Sequence, residues 1–299
     1  MHNSFIAGVD IGGSHITVVL VDAHKRKIVK GTLKRKKVDS SADAQSILIG
    51  WLEVIKESYR VFDISPCRIG IAMPGPFDYE EGISLIKEQN KYNSLYGINV
   101  KEWLSSHLQI KKENIVFNND ASCFLQGEVF SGIAKDFDAV LGLTLGTGLG
   151  SSRFIDMNAA DADLWHHPFK DGIAEDYLST RWFTKRFFDL SGKKIANVKE
   201  LVDIKESNAD PLLLQIFQEF GINLAEFLVP IIKSEKLQLV ILGGNIAKTY
   251  PLFSSAMKNK LHNNHIRIDI KQTTLWENAA LLGAASYCSN FTNAQFASK

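Results

Sequence analysis

The chain has 299 residues, 45% hydrophobic and 22% charged, with a formal net charge of +1. That balance excludes a disordered or fibrous chain and suits a globular protein of one large or two ordinary domains. It gives no overall field selecting nucleic acid, a membrane surface or acidic partners. Three scattered cysteines (Cys67, Cys123, Cys288) lack disulfide or metal-ligand spacing, the N-terminus has no basic, apolar leader, and no window reads as a spanning helix. A cytoplasmic location without membrane attachment is therefore expected.

In chain order, "FIAGVDI", "HITVVLVD" and "KIVKGTL" read as three strands. The basic run at 25–37 reads as a solvated edge hairpin guarded by lysines. Apolar spacing near 3.6 predicts a helix over 43–60. "CRIGIAM" is a buried strand stopping at the rigid Pro74–Gly75–Pro76 turn, 100–108 a helix and "NIVFN" a strand. "ASCFLQGEVFSGI" then reads as a helix, 139–146 and "LGSSRFI" as strands, and 174–189 and 209–235 as helices. A buried strand at 237–244, a helix, the strand "IRIDI" and a last helix from about 277 complete the chain. Three strands, helix, strand, helix, strand thus occur twice, which predicts an α/β duplication with a cleft between its halves.

Three glycine turns follow buried strands: Gly12–Gly13, Gly146–Thr147–Gly148 and Gly243–Gly244. No Walker A pattern is present, and "GTGLGSS" runs into a strand where a dinucleotide fingerprint needs a helix. A tight hairpin explains Gly12 and Gly13 through positive φ. It does not explain Asp10 at the end of the preceding strand. Glycine also admits a ligand close to the backbone, and successive free N–H groups form an anion-binding concavity. Three such turns point to a nucleotide site.

"GVDIGGSHI", "GIAMPGP", "FNNDASCFLQGE", "LTLGTGLG", "LVILGGNI" and "ENAALLGAA" stand in the order seen in the ROK family, the repressor–open-reading-frame–kinase group. The resemblance runs from residue 8 to about 285. It implies a two-lobed actin-like ATPase fold of ribonuclease H type, with lobes 1–117 and 118–276 and the last helix, about 277–299, packed back on the first. It also implies phosphorylation of a hexose hydroxyl by ATP and Mg²⁺, and a homodimer. Asp10 would face the metal, with Gly12, Gly13 and Ser14 beneath the phosphates. Thr144, Gly146, Thr147 and Gly148 would hold phosphates from the second lobe, and Gly243, Gly244 and Asn245 would approach the nucleoside.

Asp120, expected at an N-cap-like position, would be the general base, with its ionised form favoured by the helix dipole. Asn119 and Gly75 would contact the sugar. The resemblance breaks at "DADLWHHPFKDGIAED", where Asp163, His166 and Glu175 align with the family's sugar-binding acid, histidine and second acid. Asp163 is one methylene shorter than the usual glutamate and Trp165 replaces a glycine. The family's zinc-loop cysteines are absent, so no structural zinc is expected. His15 stands where the family often has lysine. Glucose is the default sugar by analogy, with N-acetylhexosamine, mannose or fructose open, as is polyphosphate in place of ATP. A ROK repressor is not expected, since only seven residues precede Gly8, too few for a helix pair. A non-catalytic sugar-binding regulator is the remaining alternative.

Overall fold

The computed structural model describes residues 5–89, 91–204 and 211–289. β1 (Phe5–Ile11) and β2 (His15–Asp22) form an antiparallel hairpin in register from Phe5–Asp22 to Ile11–Ile16. The expected third strand divides into β3 (Lys27–Ile28) and β4 (Lys34–Lys37), both paired with β2. Between them Gly31 (φ 81°) turns the chain. There the Thr32 hydroxyl accepts from the Leu20 N–H at 3.0 Å and donates to the Val29 carbonyl at 2.7 Å. The basic run therefore lies on the sheet edge, where Lys36 pairs with Glu53 at 3.0 Å.

Asp43 caps α1 (Ala44–Arg60) by accepting from the Ser46 N–H at 3.0 Å, and the helix buries Ile47, Leu48, Trp51, Leu52 and Ile55 as one stripe. β5 (Ile69–Met73) follows, then a small ribbon of β6 (Phe77–Asp78) and β7 (Ile83–Ser84). α2 (Val100–Leu108), β8 (Ile115–Asn119) and α3 (Asp120–Phe130) complete this stretch. The first sheet runs β3-β2-β1-β5-β8, with β4 also on β2. β1, β5 and β8 are parallel.

The second half opens with β9 (Val140–Leu145), β10 (Leu149–Ile155) and β11 (Asn158–Asp161). A ribbon of β12 (Pro168–Phe169) and β13 (Gly172–Ile173) leads into α4 (Ala174–Leu178), α5 (Thr180–Ser191) and α6 (Val198–Ile204). Then come α7 (Pro211–Glu235), β14 (Leu239–Gly243), α8 (Gly244–Ala247), α9 (Tyr250–Asn263), β15 (Asp269–Gln272) and α10 (Asn278–Tyr287). The second sheet, β11-β10-β9-β14-β15, repeats the strand order of the first, with β9, β14 and β15 parallel. The last strand lies at 269–272, displaced from the expected 266–270. α7 is long and apolar enough to cross a bilayer, with a mean hydropathy of 1.4 over its window, a signal the sequence reading passed over. Its Leu213, Phe217, Phe220, Leu224 and Phe227 are buried in the core of this half.

Contacts divide the chain into two units: one of residues up to Asp136 with 157–160 and the chain from Glu277, the other of Phe137–Asp156 and Asp161–Trp276. α3, assigned to the second lobe by the sequence reading, groups with the first unit because it packs along α10. Residues 290–299 of the expected last helix lie outside the described residues. Within the first unit, backbone proximity makes the packing of α10 tight. A Cβ at Gly8 of β1 would collide with the Leu281 carbonyl, and one at Gly70 of β5 with that of Ala284. Gly283 of α10 lies as close to the Cys123 carbonyl of α3.

In the second unit, Arg186 of α5 donates to both carboxylate oxygens of Glu219 on α7, at 2.6 and 2.7 Å. These bonds hold the Glu219 carboxyl below its ordinary value.

Gly70→Ala should destabilise the protein by about 3 kcal/mol, the upper range for overpacking. Gly50→Ala, in α1 with open space at its Cβ position, should stabilise it by up to about 1 kcal/mol. Denaturant midpoints check both. Glu219→Gln should cost about 1 kcal/mol at pH 7. Because the folded-state value is depressed, that deficit should close as pH falls below the ordinary glutamate value of 4.5, which pH-dependent melts would register.

Candidate functional site

Parallel strands that start at one edge of a sheet end together at the other, and open α/β sheets bind ligands outside those carboxyl ends. In the first unit Asp10 is in register with Ala72, Ala72 with Asn118, and Met73 with Asn119. The segments after β1, β5 and β8 therefore emerge side by side: Gly12–Gly13, Pro74–Gly75 and Asp120. Asp10 is half-buried, and burial pushes its carboxyl up to about 7. The charges of Asp120 and Glu277 add to this rise and Arg35 opposes it.

The Gly12–Gly13 turn closes with the Gly12 N–H on the His15 carbonyl at 2.9 Å. Neither glycine has a positive φ, so the hairpin explanation for the pair fails. A Cβ on either would meet its neighbours no closer than 3.6 Å. Neither the turn's handedness nor its packing demands glycine here. Ser14 is exposed, with its hydroxyl 2.9 Å from His15 Nδ1.

At the end of β8 the structure corrects the position of Asp120. Asn119 is the N-cap of α3, accepting from the Ala121 and Ser122 N–H groups at 2.9 and 3.2 Å. Asp120 is the first helical residue, exposed, with Oδ1 accepting from the Ala121 N–H at 2.8 Å. The asparagine wins the cap because its extended backbone (φ −59°, ψ 143°) aims its side-chain oxygen at the first free N–H groups. Its Nδ2 lies 3.4 Å from Tyr79 Oη, which donates to the Met73 carbonyl at 3.1 Å. A Cβ at Gly75 would approach Tyr79 Oη at 3.3 Å.

Among the described residues no three His, Cys, Asp or Glu side chains gather as a metal cluster. Magnesium needs no such cage, since it is commonly held by one or two carboxylates plus substrate phosphates. The crowding of Asp10 by Asp120 and Glu277 is relieved by a bound dication, so these residues fit that ion.

In the second unit Thr144 is in register with Gly243, placing two more glycine turns on one edge. The Gly146 N–H bonds the Gly148 carbonyl at 3.0 Å. The Gly146 carbonyl in turn accepts from the Thr180 N–H and hydroxyl, at 2.8 and 2.9 Å. Thr147 is exposed, and the Cβ position of Gly146 faces open space. Glu175 braces the turn from within: Oε2 accepts from the Leu149 N–H at 3.0 Å and Oε1 from Arg181 at 3.1 Å. Gly244 (φ 81°) lies so close to the Leu145 carbonyl that a side chain would collide, so a structural reason suffices for it. Asn245, also exposed, accepts from Lys248 Nζ at 3.0 Å. Asp163 (φ 50°) and His166 are both exposed, with Oδ1 and Nδ1 3.3 Å apart.

Asp10, Gly12, Gly13, Ser14, Gly75, Asn119 and Asp120 thus gather on one sheet edge of the first unit. Thr144, Gly146, Thr147, Gly148, Gly243, Gly244 and Asn245 lie on the corresponding edge of the second, with Glu175 packed under its turn. Asp163 and His166 form a separate exposed pair. Thr180 and Arg181 escaped the sequence reading, since no local pattern marks a threonine that starts a helix as the anchor of a turn 34 residues earlier.

The sequence profile of the ROK family matches residues 6–160. The chain is 23% identical to a β-glucoside kinase of Listeria monocytogenes, over 93% of this chain and 95% of that one. It is 24% identical to the xylose repressor of Bacillus subtilis, over 94% of this chain and 76% of the repressor. Its fold is similar to that of a ROK family glucokinase from Streptomyces griseus, solved with glucose and AMPPNP, with a TM-score of 0.73 and 20% identity over 95% and 98% of the two chains. The matched profile, the duplicated five-strand order and the acid–glycine turn after β1 agree, and this chain belongs to the ROK family.

Proposed function

We propose that this chain is a sugar kinase that transfers the terminal phosphoryl group of ATP to a hexose hydroxyl. The observation that carries the reading is the shared strand-end row of Asp10 and Asp120, beside a glycine turn that neither handedness nor packing explains. Names of relatives support it, since a β-glucoside kinase and a glucokinase align along nearly the whole chain.

In this reading Asp120 accepts the proton of the sugar hydroxyl as it attacks. Its place in the first turn of α3 favours the charged form by about 0.3–1 kcal/mol. Strong basicity is not needed where phosphoryl transfer passes through a loose transition state and rests on positioning. Asn119, Gly75, Asp163, His166 and Glu175 orient the sugar. Gly12, Gly13, Ser14, Thr144, Gly146, Thr147 and Gly148 bind phosphates, and Gly243, Gly244 and Asn245 the nucleoside side. Asp10 would hold Mg²⁺, which when bound neutralises phosphate charge.

A second reading, a sugar-binding regulator without catalysis, draws on one observation. Both carboxylate oxygens of Glu175 are engaged by protein groups, leaving the sugar pocket with one acid fewer. The resemblance to a repressor agrees with it.

Asp120→Asn separates the two. It should fold normally and lose roughly 10²- to 10⁴-fold in sugar-dependent ADP release. Near-normal turnover in this variant would refute Asp120 as the base, and no turnover in the wild type with retained sugar binding would favour the regulator.

A further inference from the structure

The Gly12–Gly13 turn is braced by a segment 80 residues further along the chain. Tyr92 is fully buried, and its hydroxyl donates to the Gly12 carbonyl at 2.6 Å. Its own N–H bonds the Ser40 carbonyl at 2.7 Å, and its ring meets Trp51 edge-on at 5.4 Å between centroids. A left-handed backbone (φ 55°) at Tyr92 fixes the direction of the residue before it. That residue is Lys91.

The Lys91 stem runs over the turn, with Cδ 3.8 Å from where Gly13 would carry a Cβ. The side chain is half-buried and makes no ion pair or side-chain hydrogen bond with any described residue. On the same turn the N–H groups of Gly13 and Ser14 have no acceptor among the described residues. Two consecutive free N–H groups form a concavity for an anion. Placing a lysine there without a partner costs side-chain entropy and some hydration. A ligand that supplies several anionic oxygens offsets both costs and satisfies the N–H groups at once.

Of the other cations near Asp10, Arg35 is already held by Glu277 at 2.9 Å. Lys91, whose stem lies over Gly13, is thus an uncommitted charge at this turn among the described residues.

We propose that Lys91 binds the phosphate chain of the nucleotide on the Gly12–Gly13–Ser14 turn. The inference rests on the kinase reading and adds a residue to it. Lysine suits the task as a compact charge on a flexible stem, able to follow the terminal phosphoryl group as it is transferred.

Calorimetric titration of wild type, Lys91→Met and Lys91→Arg with ATP–Mg²⁺ and with inorganic tripolyphosphate tests it. Methionine keeps the apolar cover over Gly13 and removes the charge, so a merely structural lysine would leave this variant unchanged. The expected result is a loss of roughly 10- to 100-fold in affinity for both ligands in Lys91→Met. Lys91→Arg should stay within about threefold of wild type, and melting temperatures and sugar KM should be unchanged in both variants. Wild-type affinity in Lys91→Met, or a change confined to sugar KM, would overturn the inference while leaving the kinase reading intact. If the wild type binds neither ATP nor tripolyphosphate, the kinase reading fails and takes the inference with it.

Discussion

The in-register pairing of β1 with β5 and of β5 with β8 is the constraint on which the first unit's candidate site depends. It brings Asp10, Gly75 and Asp120, each from a different part of the chain, to one edge. That pairing is locked from behind by α10, whose backbone rests on Gly8 and Gly70 so closely that no side chain fits between. Glycines in strand interiors normally weaken a sheet. Here they let a helix from the far end of the sequence clamp two of the three strands that carry the site.

The electrostatics follow from that placement. Asp10 and Asp120 are near enough for their charges to oppose one another, and burial lifts Asp10 to about 7. Such an edge is poor at receiving a bare polyanion and well suited to one that arrives with a dication. The unpartnered Lys91 and the free N–H groups of the adjoining turn supply the complementary attraction. The second unit uses different means to hold its own glycine turn. Thr180 fixes the Gly146 carbonyl while Glu175 fixes the Leu149 N–H, so the hairpin is pinned on both arms.

Much of this was legible in the sequence. Buried strand runs, the 3.6-residue spacing of α1 and the repeated strand–helix order gave the duplication, and the motifs gave the family. Asp10 stood out because an acid at the end of a buried strand needs a reason. What escaped were relations between distant residues. Tyr92 beneath Gly12 and α10 over Gly70 leave no local trace. Local signals also misled in places. The two glycines after Asp10 look like a positive-φ hairpin and are not one. The cap of α3 fell to Asn119 because a one-residue difference in where the helix begins is invisible in "NNDAS" when both residue types cap well. The strand expected over 27–33 broke after Ile28, where Gly31 (φ 81°) turns the chain and the Thr32 hydroxyl bonds across to β2. Glu175 matched a sugar-binding position, and the structure adds that its carboxylate also accepts from a backbone N–H and an arginine.

The central claim is that the two clustered carboxylates serve phosphoryl transfer to a sugar. Phosphorus-31 NMR of the wild type with ATP, Mg²⁺ and, in turn, glucose, N-acetylhexosamine, mannose and fructose tests it most directly. The account predicts a new sugar-phosphate resonance with at least one of them, growing as the γ-phosphate signal decays. A spectrum in which ATP persists with every sugar, while calorimetry shows that a sugar and ATP both bind, would contradict it.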